Sequence, residues 1–139
     1  MSFLLDTNVV SESEQKRPEA KVLRWIGEQG PASLYLSALT IGEIRKGMER
    51  LPSGAKRAHI KTWIEDVRAR FTGRILPLTE DTFSIWGAMY AELQKRGIVR
   101  PTLDSLLEAT ALEHDLILVT RNVRNFRDSS VTILNPWEG

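Results

Sequence analysis

Three carboxylates in this sequence stand where a hydrolytic metal site could be built. Asp6 ends the apolar run Phe3-Leu4-Leu5. Glu43 lies in the first turns of a helix expected over Ser37–Arg50, and Asp104 in the first turn of one opening at Pro101. Thr120 and Asn122 follow a fourth apolar run, Leu116-Ile117-Leu118-Val119. Carboxylates brought together repel one another unless a cation offsets them. Carboxylates, an amide oxygen and waters suit Mg²⁺ or Mn²⁺. A hard cation held in this way activates water and stabilises charge on a phosphodiester. Nothing in the chain suits zinc, copper or iron. There is no cysteine, and the two histidines, His59 and His114, lack ligand-spaced partners.

Each acid also has a structural reading. Asp6 fits an N-cap. Thr40-Ile41-Gly42-Glu43 matches a capping box, so Glu43 could serve the backbone. Asp104 stands in a first turn, where the helix dipole favours an acid. The case for chemistry is their coincidence at one edge. Arg45, Lys46 and Arg121 adjoin these residues. They read as phosphate contacts or, more commonly, as solvated charge. No Ser/His/Asp order and no phosphate-binding glycine pattern is present.

The elements that must carry these residues alternate. Short strands are expected at Phe3–Leu5, Ser33–Leu36, Arg74–Pro77, Leu116–Val119 and Val131–Leu134. Helices are expected after Asp6, over Glu19–Glu28, Ser37–Arg50, Ala55–Phe71, Thr79–Arg96 and Pro101–His114, with a helical turn at Asn122–Phe126. Strands this short and apolar belong to a parallel sheet covered on both faces. The fold class is therefore α/β, a three-layer α/β/α sandwich. In such sheets sites lie beyond the carboxyl ends of the strands. A crossover helix runs back against its strand, which brings Asp104 to the same edge as Asp6. Trp25, Trp63 and Trp86 occupy core-like helical positions, so burial is expected rather than base stacking.

With 139 residues, 42% of them hydrophobic, the chain suits one domain over 1–139. It has no repeat and no linker-like stretch. The start lacks a signal-peptide pattern and no apolar run spans a bilayer, so a soluble cytoplasmic protein without membrane contact is expected. The net charge of +1 decides nothing about nucleic acid, because an acidic site inside a basic surround would cancel in the sum.

Four segments carry a resemblance. Leu4-Leu5-Asp6-Thr7-Asn8-Val9-Val10-Ser11-Glu12 resembles the opening motif of PIN-domain nucleases, above all the VapC/FitB-like toxins of bacterial toxin–antitoxin pairs. Ser37-Ala38-Leu39-Thr40-Ile41-Gly42-Glu43-Ile44-Arg45 is similar to their second motif, and Leu103-Asp104-Ser105-Leu106-Leu107-Glu108-Ala109-Thr110-Ala111 to their third. Leu118-Val119-Thr120-Arg121-Asn122-Val123-Arg124-Asn125-Phe126 is similar to the fourth, and Asn135-Pro136-Trp137 fits the ending. The resemblance implies Mg²⁺- or Mn²⁺-dependent RNA cleavage with Asp6, Glu43, Asp104 and Asn122 as catalytic residues. Asp6 and Asp104 would bind the metal, Glu43 would orient the attacking water, and Asn122 with Thr120 would form a fourth corner. It also implies a homodimer and a tight complex with a small antitoxin, operator DNA being bound only by that complex. Asn8, Thr120 and Glu108 are auxiliary candidates. Glu108 stands where a small residue is expected, one turn after Asp104. It reads as a solvated side chain or as an outer acid helping to hold metal or water. Asn125 stands where relatives often carry Asp, so with Asn122 the pattern lacks its fourth acid.

Two other readings remain at this stage. An aspartyl-nucleophile phosphatase would want an acid at Asn8 and a downstream lysine. A receiver-like regulatory domain would want paired early acids and a lysine where Arg121-Asn122 stands.

Overall fold

The strands form because both of their faces are apolar. In the computed structural model, which describes residues 1–138, five strands lie in one parallel sheet: β1 (Phe3–Leu5), β2 (Leu34–Ser37), β3 (Ile75–Leu76), β4 (Ile117–Val119) and β5 (Ile133–Leu134). Successive side chains alternate between two cores. Phe3, Leu5, Leu34, Leu36 and Val119 join the first, with Ile44 and Met48 beneath one helix and Trp63, Ile64 and Val67 beneath another. Leu4 and Leu118 join the second, with Leu107, Ala111 and Phe126. Both faces are thus covered by helices, the arrangement that parallel sheets require.

The helices are α1 (Thr7–Val10), α2 (Ala20–Glu28), α3 (Ala38–Glu49), α4 (Ala55–Arg70), α5 (Glu80–Lys95) and α6 (Thr102–Glu113). The expected turn before β5 is a short 3-10 segment, Val123–Phe126. Helix α5 is stopped by Gly97 at φ +73°, a left-handed conformation that glycine adopts without a Cβ clash. Of the three tryptophans expected to be buried, Trp63 is, while Trp25 and Trp86 are half-buried.

Strand order is β3-β2-β1-β4-β5. The chain therefore builds outward from β1 on one side, then returns to build on the other. The order reverses at β1 and β4, where the crevice beyond the strands' carboxyl ends is the standard place for a site. The register Leu5↔Val119 and the bond from Asp6 N to Val119 O (2.9 Å) put Asp6 and Thr120 side by side at that crevice. Helix α6 enters β4 through His114–Leu116, so its far end, with Asp104, returns to the same edge.

Candidate active site

Asp6 joins β1 to α1 as the N-cap of the helix. Its Oδ1 accepts from Thr7 N at 2.7 Å, capping the helix, while Oδ2 accepts from the Thr120 hydroxyl at 2.8 Å and from Asn8 Nδ2 at 3.4 Å. The structural and chemical readings of Asp6 are thus compatible, because separate oxygens serve them. Asn8 also ties the third element in, accepting from Arg121 N at 3.2 Å. Thr120, fully buried, receives the Asn122 backbone N–H at 3.0 Å.

Glu43 departs from its capping-box reading. Helix α3 starts earlier, with Ser37 at the N-cap accepting from Leu39 N at 3.1 Å. Thr40 consequently lies inside the helix, buried, and its hydroxyl makes no hydrogen bond. Glu43, released from the backbone, accepts from the Thr7 hydroxyl at 2.7 Å. Helix α1 therefore holds Asp6 at its start and Glu43 through its first residue.

Asp104 is half-buried, and its Oδ2 accepts from Asn125 Nδ2 at 3.0 Å. Asn125 had marked only a departure from the expected motif. It touches one of the three acids, whereas Asn122 is exposed and reaches the site through its backbone N–H to Thr120. A contact between residues 21 apart in sequence, made from an irregular turn, leaves no periodic signal in the chain.

Glu108 is neither solvated nor free to act as an outer acid. It is 1% exposed, and both its oxygens are taken by Arg100, from Nε at 2.8 Å and Nη2 at 3.3 Å. Tight packing of α6 against α5 and the sheet buries Ser105 through Ala111, and a carboxylate enclosed there needs a cation beside it.

Burial pushes the Asp6 carboxyl above its ordinary value. The Thr120 and Thr7 bonds oppose the rise, and the charges of Glu43 and Asp104 add to it. Asp104 is raised by the same chief cause, against its bond from Asn125, with Glu43 again adding to the rise. Nearby negative charge thus adds to the rise at both Asp6 and Asp104, while the Arg100 guanidinium offsets part of it at Asp104. The donor set of the three acids is oxygen only, which fits a hard divalent cation. Among the described residues no three His, Asp or Glu side chains close into a ready-made cage. Such an ion would take one or two carboxylates and complete its shell with water, the mode Mg²⁺ favours.

The basic candidates divide. Arg121 lines a groove of about 1180 Å³ shared with Thr7, Asn8 and Glu43, and its guanidinium lies 5.2 Å over the Trp137 ring. Lys46 lines a smaller hollow beside Glu43. Arg45 points instead into the crevice between α3 and α4, 3.5 Å from Glu49. Lys16, Arg17 and Lys56, not singled out from sequence, also line the Arg121 groove. His59 and His114 are exposed, and each faces a glutamate rather than the site.

A carboxylate cluster at the reversal point of a five-stranded parallel sheet defines a class of oxygen-ligand site on an α/β fold. The PIN domain model matches residues 3–130, and this chain belongs to the PIN-domain family. It is 35% identical over 137 residues to a VapC ribonuclease of Sinorhizobium fredii, covering 98% of each chain. It is 33% identical over 136 residues to the toxin FitB of Neisseria gonorrhoeae, covering 97% of this chain and 98% of FitB. The solved FitAcB structure from Neisseria gonorrhoeae superposes with a TM-score of 0.94 at 33% identity, covering 99% of each chain. A FitAB structure bound to a DNA fragment gives 0.94 at 32%, covering 99% of this chain and 96% of that one. Family membership sets aside the phosphatase and receiver readings.

Proposed function

We propose that this protein is a metal-dependent endoribonuclease and the toxin of a toxin–antitoxin pair. The observation that carries the reading is the convergence of Asp6, Glu43 and Asp104 at the β1/β4 crevice. Its support is a family whose similar members include a ribonuclease and a toxin. Asp6 and Asp104 would hold Mg²⁺ or Mn²⁺. When bound, such an ion neutralises the carboxylates, makes an attacking water more acidic and stabilises charge on the phosphodiester.

The chain's own residues do the rest. Thr120 and Asn8 fix one oxygen of Asp6, and Asn125 fixes one of Asp104. Glu43, held by Thr7, orients the attacking water and accepts its proton. The water oxygen bonds to phosphorus, the phosphorus–oxygen bond to the leaving ribose breaks, and the departing ribose oxygen keeps the electron pair and takes a proton from solvent. Lys16, Arg17, Lys56 and Arg121 offer positive charge to the RNA backbone along the groove, with Lys46 on the other side of Glu43.

The partner is a small antitoxin, and operator DNA is bound by the joint complex, a reading supported by the similar FitAB structure bound to a DNA fragment. The toxin itself is a homodimer. Phe83, Val99, Leu103 and Leu112 are exposed apolar side chains along the α5–α6 pair, and they support self-association there. Induced expression tests the reading. Growth arrest by the native chain, absent with Asp6→Asn, is expected, and a small antitoxin reading frame found directly upstream should relieve the arrest when co-expressed. Equal arrest by Asp6→Asn would contradict it.

A further inference from the structure

Arg100 and Glu108 form an ion pair with both side chains 1% exposed, beside Asp104 but in hydrogen-bond contact with none of the three acids. The guanidinium makes more than this pair. Its Nη1 donates to the Asn125 carbonyl at 2.9 Å, and its plane lies 5.9 Å from the Phe126 ring centroid. Arg100 therefore grips the 3-10 segment with one nitrogen and α6 with two others. Asn125, gripped at its carbonyl, uses its side-chain amide on Asp104 at 3.0 Å. Asp104 and Glu108 are one turn apart on α6. The contacts close a ring from Arg100 to Glu108, along α6 to Asp104, across to Asn125 and back to Arg100.

A buried ion pair is a poor device for stability alone, because apolar residues of similar volume often serve as well or better. The ring gives this one a different use. Asn125 belongs to a segment of four residues, too short to hold its own geometry, and its backbone position decides whether the amide reaches Asp104. We propose that Arg100 and Glu108 are positioning residues, which lock the Val123–Phe126 segment onto α6 so that Asn125 holds Asp104 in the orientation the active site needs. Outer partners of this kind orient the groups that meet the ion, and their loss typically weakens metal binding or activity about tenfold to a hundredfold. The inference rests on the ribonuclease reading for its consequence, and on the hydrogen bonds alone for its geometry.

The test replaces both charges with apolar side chains, Arg100→Met with Glu108→Leu, which leaves no buried charge unpaired. Glu108→Gln is made alongside as a variant that keeps the shape of the pair. Three readouts are taken: the Asn125 side-chain amide signals by NMR, assigned with Asn125→Ala; Mn²⁺ binding followed by EPR; and kcat and KM on RNA. The expected result is a folded double variant whose Asn125 amide loses its hydrogen-bonded shift. Its Mn²⁺ affinity falls about tenfold or more, and kcat falls with KM little changed. Adding Asn125→Ala to it costs nothing further, because the path is already cut. If the double variant does not fold, Glu108→Gln is expected to give the same amide shift and a smaller fall in affinity. An unmoved amide signal, or losses from Asn125→Ala that simply add to those of the pair, would overturn the proposal. Absence of Mn²⁺ binding and cleavage in the native chain would instead overturn the ribonuclease reading, and the amide signal would still decide the geometry.

Discussion

Asp6 carries two duties on two oxygens, and this division predicts how it responds to substitution. Burial holds the Asp6 and Asp104 carboxyls above the ordinary value of 3.8. The folded chain thus keeps protons that the unfolded chain has released. Their favourable contribution is complete below the ordinary carboxylate range and is lost as pH rises through the raised values. Without divalent cations, thermal melts from about pH 4 upward should therefore show a falling contribution from this pair until both are ionised. Asp6→Asn removes that titration and keeps the Thr7 cap, since Asn caps as well as Asp, but puts an amide donor where an oxygen accepts from Thr120 and Asn8. Without metal its melting temperature should depend less on pH than that of the native chain, and it should gain less from added Mg²⁺. A native melt that rises steadily with pH relative to Asp6→Asn would contradict this. That Asp6 and Asp104 stand at one edge of the sheet was readable from sequence, because one follows a strand and the other opens a helix. Asn125 was not, because its role depends on where an irregular segment falls. Glu108 was misread because its helical position predicts a side near Asp104 but says nothing of Arg100, whose guanidinium makes burial tolerable.

At the scale of elements, short strands were legible because burial on both faces leaves them almost wholly apolar, and helix order followed from apolar spacing. Helix starts were less so. The helix expected over Ser37–Arg50 and the capping box expected at Thr40 put the start of α3 at different residues, and the strand's length decides between them. Because β2 runs to Ser37, α3 begins at Ala38, and Glu43 is turned toward α1 rather than back onto its own helix. Ser37 is fully buried, so the Leu39 N–H cannot turn to water when the hydroxyl is removed. Ser37→Ala should cost about 1–2 kcal/mol, the upper part of the N-cap range, read as a lower urea midpoint with an unchanged slope. An unchanged midpoint would mean that another group caps α3.

Across the whole molecule, what the sequence could not show was strand order. An alternating strand–helix pattern is compatible with several orders, and the observed β3-β2-β1-β4-β5 puts the reversal beside Asp6. The sequence did place Asp6 and Asp104 at the carboxyl edge, and Asp6 follows β1 while Asp104 opens the helix that returns to that edge. No helix among the described residues is long and apolar enough to cross a membrane. The exposed Phe83 and Leu112 lie at one end of the α5–α6 pair, where Thr82 donates to Glu113 at 2.6 Å, and Val99 and Leu103 at the other. Light scattering of the purified chain should give the mass of a dimer. Phe83→Asp with Leu112→Asp should shift it toward a monomer without lowering the melting temperature of dilute samples. A monomer from the outset would remove the dimer from the proposal and leave the active site as described.

The most direct measurement is cleavage of defined RNA by the purified native chain, Asp6→Asn and Asp104→Asn, with Mg²⁺ or Mn²⁺ and with chelator. Cleavage by the native chain alone, lost in chelator and restored by the cation, with both variants folded and inactive, is the predicted result. Cleavage that persists in chelator, or in folded Asp6→Asn and Asp104→Asn, would contradict a carboxylate-held cation as the centre of this site.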